Sequence, residues 1–127
     1  MALPDVLIID DDRLLRAMLR EALSDIPCAV READSGDSAL AEIAKQEPAV
    51  MLLDLIMPGR SGLELLKTLT SRGVKTRILV ISSLDTESLV QQALADGAHG
   101  FLVKPFHPLE VQNVVRGALE AAEGAKA

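Results

Sequence analysis

A doubly wound α/β domain, with a five-stranded parallel sheet and five helices, is the fold that the sequence predicts. Short apolar runs alternate five times with longer stretches whose apolar residues recur at helical spacing. Four of the runs are continuously apolar, as burial on both faces of a parallel sheet requires. The chain has 127 residues, 49% of them hydrophobic. It therefore predicts a single domain over 1–127, with a core at about 5–120 and a polar C-terminal tail.

The amino-terminal third predicts a strand, a helix and a second strand. Residues 6–9 form the first continuous apolar run. Apolar side chains then recur at helical spacing over 14–23, and Pro27 follows that helix. Asp12 is predicted to cap the start of this helix, because acidic side chains favour a helix amino terminus. Residues 28–33 are short and tolerate extended structure, which places the second strand there.

The second helix and the third strand follow at similar spacing. Apolar residues at 39–44 predict the helix, and Pro48 closes it. Residues 50–53 are another fully apolar run and predict the third strand. Pro58 and Gly59 then mark a turn.

The third helix, the fourth strand and the fourth helix come next. Gly62 lies near the start of a helix whose leucines fall within 63–69. Residues 78–81 are a third continuous apolar run and predict the fourth strand. Asp85 is predicted to cap a helix that carries apolar residues at 89–94.

The last strand and helix complete the alternation. Gly97 is predicted to stop the preceding helix. Residues 101–103 predict the fifth strand, which ends at Lys104-Pro105. Residues 108–122 predict the final helix, and the polar tail after it is expected to fray.

Composition and charge exclude several classes of function. The chain has 13 Lys and Arg against 19 Asp and Glu, a net charge of −6, and only 2% aromatic residues. An acidic surface repels nucleic-acid backbones and anionic lipids, so no direct contact with nucleic acid or membrane is expected. A single cysteine excludes an intrachain disulfide. There is no run of 18 apolar residues and no leader pattern, so a soluble cytoplasmic protein is expected.

Polar residues with chemical use follow four of the predicted strands. Asp10 and Asp11, Asp54, Ser82 and Lys104 end strands 1, 3, 4 and 5, at separations of 44, 28 and 22 residues. In the flavodoxin-like strand order 2-1-3-4-5 these four strands are neighbours, and ligands bind at the carboxyl edge of such sheets. The five residues are therefore expected to converge in one shallow cleft.

Three carboxylates in one cleft need a cation. At ~4 Å and an effective dielectric constant of about 20, each pair of like charges costs roughly 4 kcal/mol. Lys104 supplies one positive charge, and a hard dication such as Mg²⁺ (or Mn²⁺) would supply the rest. A carboxylate beside a dication, an ammonium and a hydroxyl is the set that phosphoryl transfer to aspartate requires.

Four short motifs in order resemble the response-regulator receiver domains of two-component signalling. The resemblance covers about residues 5–120 and is specific because all four motifs occur at the expected spacing. The motifs are Ile8-Ile9-Asp10-Asp11-Asp12, Leu53-Asp54-Leu55-Ile56-Met57-Pro58-Gly59, Val80-Ile81-Ser82-Ser83 and Val103-Lys104-Pro105-Phe106.

The resemblance implies a role for each residue of the cleft. Asp54 matches the phosphoacceptor, Asp11 the direct metal ligand, and Asp10 the acidic neighbour that holds the metal through water. The metal would also be held by Asp54 and by the backbone carbonyl of Ile56. Lys104 matches the lysine that contacts the phosphoryl group, and its bond to the following proline is expected to be cis.

The resemblance also implies a switch and its partners. Ser82 matches the hydroxyl residue that moves toward the phosphoryl group, and Phe101 the aromatic residue that turns inward when it does. Phe101 could equally be core filler, and the two roles are compatible. The implied partners are a histidine kinase or phosphotransfer protein, and an output protein or domain that binds the helix 4–strand 5–helix 5 face. The chain would be a monomer or a phosphorylation-linked dimer.

Two other functions compete with an active receiver. A degenerate receiver could act as a constitutive interaction module, but all the required residues are present. A small phosphohydrolase could use Asp10 and Asp12 as nucleophile and acid, but such enzymes normally have a cap and a second acidic pair downstream, which are missing here. An active receiver would be a switch that catalyses only its own phosphorylation and dephosphorylation.

Two apolar positions depart from the pattern of many receivers. Ile56 and Leu84 flank the route of the hydrolytic water, where polar side chains are common in the family. Apolar groups cannot orient that water, so slow dephosphorylation is expected.

Overall fold

Strands and helices alternate along the whole of the described chain. The computed structural model describes residues 3–57, 61–83 and 87–126. The elements are β1 (Asp5–Ile9), α1 (Arg13–Ala22), β2 (Ala29–Ala33), α2 (Gly36–Lys45), β3 (Val50–Asp54), α3 (Gly62–Ser71), β4 (Arg77–Ser82), α4 (Glu87–Ala95), β5 (Gly100–Val103) and α5 (Pro108–Lys126). The turn predicted at Pro58 and Gly59, and the cap predicted at Asp85, lie outside the described residues.

The five strands form one parallel sheet in the order β2-β1-β3-β4-β5. The predicted fold class, with its strand order and five helices, is confirmed. In the register of this sheet Ile9 lies beside Leu53, and Asp54 lies beside Ile81. The carboxyl ends of the three central strands therefore finish at the same level.

Alternate residues of each central strand belong to two separate apolar clusters, one on each face of the sheet, because successive side chains of a strand point to opposite faces. One face carries Leu7, Leu53 and Val80 and packs against helices α2, α3 and α4. The other face carries Ile8, Leu52 and Ile81 and packs against α1 and α5. Burial on both faces explains why these strands read as continuous apolar runs.

The last helix is longer than the sequence pattern predicts. Helix α5 reaches Lys126, whereas the pattern ended at residue 122. Its final turns are rich in alanine, glutamate and lysine, which favour helix without needing an apolar partner. Among the described helices, none is both long and apolar enough to cross a membrane.

A histidine side chain joins the start of β5 to β4. The Nδ1 atom of His99 accepts a hydrogen bond from the Ile78 N–H at 3.0 Å, and the His99 N–H donates to the Ile78 carbonyl at 2.7 Å. His99 is exposed overall, but partial burial of its imidazole lowers its pKa below the usual 6.5, and the nearby charge of Arg77 lowers this pKa further. The folded state therefore prefers the neutral imidazole, the form whose Nδ1 can accept this bond.

This contact predicts a loss of stability in acid. Because the pKa of His99 is lower in the folded chain than in the unfolded one, its contribution is present above pH 6.5 and is lost as the pH falls below that value. The expected loss is about 0.5 kcal/mol or less, because His99 is exposed and solvent reduces the worth of one hydrogen bond. Urea unfolding at several pH values should show a smaller acid loss in His99→Asn, whose side-chain oxygen accepts but does not titrate in this range. Equal acid losses in the two proteins would contradict the prediction.

Candidate functional site

The carboxyl edge of the sheet gathers the polar residues that follow the strands. Asp10 follows β1 directly, while Asp54 and Ser82 are the last residues of β3 and β4. Ser82 lies beside Val103 in the sheet register, so Lys104 leaves β5 at the same level. Asp10, Asp54 and Ser82 are all buried. The convergence expected from the sequence is what the strand register produces.

The first acidic segment is held by its own hydrogen bonds. The Asp10 N–H donates to the Ala33 carbonyl of β2 at 3.1 Å. One Asp10 carboxylate oxygen, Oδ1, accepts from the Asp12 N–H at 2.8 Å. Asp12 caps α1 by accepting from Leu14 and Leu15, as predicted, while the side chain of Asp11 is exposed. Asp12 therefore serves as the helix cap, whereas Asp10 and Asp11 do not cap the helix.

Lys104 lies between two buried carboxylates. Its Nζ atom is 3.4 Å from Oδ2 of Asp10 and 3.5 Å from Oδ2 of Asp54. The Lys104-Pro105 peptide bond is cis, as expected from the resemblance. An ammonium in this place offsets part of the repulsion between the two acids.

Asp54 is a buried carboxyl under opposing influences. Burial raises its pKa above the usual value, and the charge of Asp10 raises it further. The Ile56 N–H, which donates to Oδ1 of Asp54 at 3.1 Å, and the ammonium of Lys104 both act against this rise. The net direction is upward, because burial and the charge of Asp10 together outweigh the groups that favour the ionised form.

Three carboxylates form a possible cation site. Asp10, Asp11 and Asp54 each offer an oxygen, and these three atoms lie within 4.8 Å of one another. Oxygen donors with this much negative charge are what Mg²⁺ and Mn²⁺ prefer. A cation there would favour the ionised form of Asp54, against the effect of burial on its pKa. The residues present therefore fit a hard divalent cation.

Three further predicted residues lie at or near this edge. Ser82 is completely buried at the end of β4. Phe101 is half-buried on β5 and packs against the cluster beneath helices α2, α3 and α4, in keeping with core filling. The side chain of Ile56 is 54% exposed, while Leu84 lies outside the described residues. The switch role of Ser82 and Phe101, and the carbonyl ligand at Ile56, stay predictions.

Two contacts at the site were not anticipated from the sequence. The sequence pattern identifies Gly62 only as a helix start, yet a Cβ there would lie 2.1 Å from the Asp54 carbonyl oxygen and 2.5 Å from Cα of Leu55. No sequence motif includes Arg16, yet its Nη1 donates to the Asp10 carbonyl at 2.7 Å. A glycine at the start of a helix and an arginine one turn into another are weak signals alone, because neither shows which backbone atom it meets.

Comparison with known proteins gives consistent matches. The family described as response regulator receiver domain matches residues 6–116. The transcriptional activator protein ExaE of Pseudomonas putida is 38% identical over 118 residues, covering 90% of this chain and 54% of that protein. The nitrate/nitrite response regulator protein NarL of Escherichia coli strain K12 is 35% identical over 121 residues, covering 94% of this chain and 55% of that protein.

A solved structure extends the likeness to the whole fold. The chemotaxis protein CheY4 of Vibrio cholerae superposes with a TM-score of 0.86 and 32% identity, covering 93% of this chain and 100% of that one. By contrast, the chain spans about half the length of the curated relatives ExaE and NarL.

Proposed function

The chain belongs to the response regulator receiver domain family, and on this premise we propose that Asp54 accepts a phosphoryl group from a histidine kinase or phosphotransfer protein in a Mg²⁺-dependent reaction. One observation supports this above the others. The buried Asp54 carboxylate has the Lys104 ammonium at 3.5 Å and two further carboxylates, Asp10 and Asp11, within reach of a shared cation. The arrangement supports the proposal because a carboxylate nucleophile needs such charges to stabilise a transferred phosphoryl group.

In the proposed reaction a carboxylate oxygen of Asp54 attacks phosphorus. The new bond joins that oxygen to phosphorus as the bond from phosphorus to the donor breaks, and the donor keeps the bonding electrons. The Ile56 N–H donates to Oδ1 of Asp54 and so helps to fix the plane of the carboxylate. Lys104 then faces the negative charge of the phosphoryl oxygens. A divalent cation held by Asp10, Asp11, Asp54 and the Ile56 carbonyl would supply further positive charge to those oxygens.

The output of the proposed switch is a protein-interaction face. We propose that Ser82 hydrogen-bonds the phosphoryl group and that Phe101 changes its packing in response. The affected face would be that of α4, β5 and α5, where Leu94 of α4 and Val103 of β5 are exposed apolar side chains. An output protein or domain would bind there. A cytoplasmic location and a monomer or phosphorylation-linked dimer are expectations from the sequence.

Intact-protein mass spectrometry after incubation with acetyl phosphate and Mg²⁺ tests the proposal. We expect one added phosphoryl group on the wild-type chain, and none on Asp54→Asn or in a chelated sample. A beryllofluoride mimic, followed by NMR at Ser82 and Lys104, covers a phosphorylated form that is too short-lived to detect. Failure of both the transfer and the mimic would overturn the proposal in favour of an interaction module.

The exposed side chain of Ile56 predicts a long-lived phosphorylated form. It lies two residues from Asp54 and has no polar group to orient an attacking water. Ile56→Asn is therefore expected to shorten the half-life of phosphorylated Asp54 several-fold, measured by the decay of the phosphorylated mass after the donor is removed. An unchanged or longer half-life would show that water access is controlled elsewhere.

A further inference from the structure

The guanidinium of Arg16 connects three elements beside the acidic cleft. It lies one turn into α1, whose cap is Asp12. Its Nη1 donates to the Asp10 carbonyl at 2.7 Å, and its Nε donates to Oε1 of Glu32 on β2 at 3.0 Å. The side chain is only 15% exposed. Arg16 therefore ties the end of β1 to α1 and to β2 through two charge-assisted hydrogen bonds.

The carbonyl that Arg16 binds belongs to the peptide joining Asp10 to Asp11. Asp10 is buried and is also held through its N–H and its carboxylate. Asp11 is exposed, so packing does little to hold its side chain. The orientation of the Asp10–Asp11 peptide sets the direction in which Asp11 leaves the strand. The hydrogen bond from Arg16 to that carbonyl thus bears directly on where the Asp11 carboxylate lies.

Glu32 in turn orients Arg16. Its other carboxylate oxygen, Oε2, pairs with Arg20 at 2.8 Å. Partial burial raises the pKa of Glu32, but the hydrogen bonds from Arg20 and Arg16 outweigh it, and the net pKa is lowered. Glu32 is therefore an anion that two arginines share. Only Arg16 of the two also contacts the Asp10 carbonyl.

We propose that Arg16, oriented by Glu32, is a positioning residue for the cation site, acting by fixing the peptide between Asp10 and Asp11. This rests on the proposed function, which places a divalent cation at those acids. Whether cation binding weakens or tightens when Arg16 is removed distinguishes a positioning role from a simple charge effect. Arg16 is itself a cation and repels a dication, so charge alone would make cation binding tighter when Arg16 is removed. Loss of positioning makes cation binding weaker.

Isothermal titration of the whole chain with MgCl₂ tests the proposal with two matched variants. Arg16→Met and Arg20→Met each remove one positive charge and one ion pair with Glu32, but only Arg16→Met also loses the bond to Asp10. We expect the Kd for Mg²⁺ to rise about 10-fold in Arg16→Met, as for other groups that orient metal ligands. Arg20→Met should stay close to wild type. Unfolding midpoints measured in chelator should fall further in Arg16→Met, whose side chain is 15% exposed against 49% for Arg20, so the Mg²⁺ affinities are compared at a temperature where all three proteins are folded.

The possible outcomes separate the two proposals. If wild type binds Mg²⁺ and Arg16→Met binds it equally or more tightly, the positioning role is overturned and the proposed function stands. If wild type binds no Mg²⁺, the cation site fails and the role of Arg16 fails with it. Should Arg16→Met not fold, Arg16→Lys replaces it, because lysine keeps the charge but has no planar fork to hold both partners. A wild-type Kd in Arg16→Lys would then overturn the positioning role.

Discussion

Lys104→Met is expected to slow phosphorylation of Asp54 by acetyl phosphate by about 10²-fold or more, the usual effect of removing a group that stabilises developing charge. Methionine keeps the length and the apolar stem of the side chain but not the ammonium that lies 3.4 Å from Asp10 and 3.5 Å from Asp54. Initial rates of adduct formation, followed by intact mass, would measure the effect.

A lysine elsewhere on the surface provides the control for this substitution. Lys67 is 58% exposed and is 3.9 Å from Asp96, away from the cleft, so Lys67→Met should react at the wild-type rate. The Lys104 ammonium competes with Mg²⁺ for the carboxylates of Asp10 and Asp54. The affinity for Mg²⁺ should therefore not fall in Lys104→Met. A Lys104→Met rate within a few-fold of wild type would mean that the ammonium has no part in the transfer.

Gly62→Ala is expected to destabilise the fold by about 3 kcal/mol, the upper part of the range for overpacking. The added methyl would meet the backbone of Asp54 and Leu55, which cannot move aside as a flexible side chain can. The Gly62 N–H also donates to the Leu55 carbonyl at 3.0 Å, which holds α3 against the end of β3. Relaxation must shift either α3 or the end of β3 that carries Asp54, so we expect phosphorylation to fall as well as stability. Urea unfolding and the mass assay measure the two effects.

The matched glycine lies in α5. A Cβ at Gly117 meets nothing within 4 Å, and the residue is exposed inside the helix. Gly117→Ala should therefore stabilise the chain by about 0.5–1 kcal/mol, the helix-propensity difference between the two residues. If Gly62→Ala cost no more than a typical surface substitution, the close approach of α3 to β3 would have to be wrong.

The sheet and its edge were predictable because they depend on local patterns. The runs that contain Ile8, Leu52 and Ile81 are apolar on both faces, and this pattern is typical of strands buried inside a parallel sheet. Once strand order is known, residues that follow strands must meet at one edge. The proximity of Asp10, Asp54 and Lys104 could therefore be predicted, because each directly ends or follows a strand.

Contacts that depend on the angle between elements were not predictable in this way. Glu32 and Arg16 are 16 residues apart, and nothing in their spacing shows that they share a hydrogen bond or that Arg16 continues to the Asp10 carbonyl. The length of α5 was missed for a different reason. Its last turns form through intrinsic propensity, whereas the pattern that predicted the helix followed apolar periodicity.

The sequence by itself determined the fold class, the family and the set of residues at the carboxyl edge, because apolar periodicity and motif order are carried in the chain whatever its exact packing. Only the tertiary structure decided the distances among Lys104, Asp10 and Asp54, the close approach of Gly62 to the end of β3, and the attachment of Arg16 to the peptide between two acids. The first depends on side-chain conformations at the strand ends, and the other two depend on how helices pack against the sheet. A difference of 1 Å in that packing makes or breaks a hydrogen bond or a steric clash, and no residue spacing encodes it.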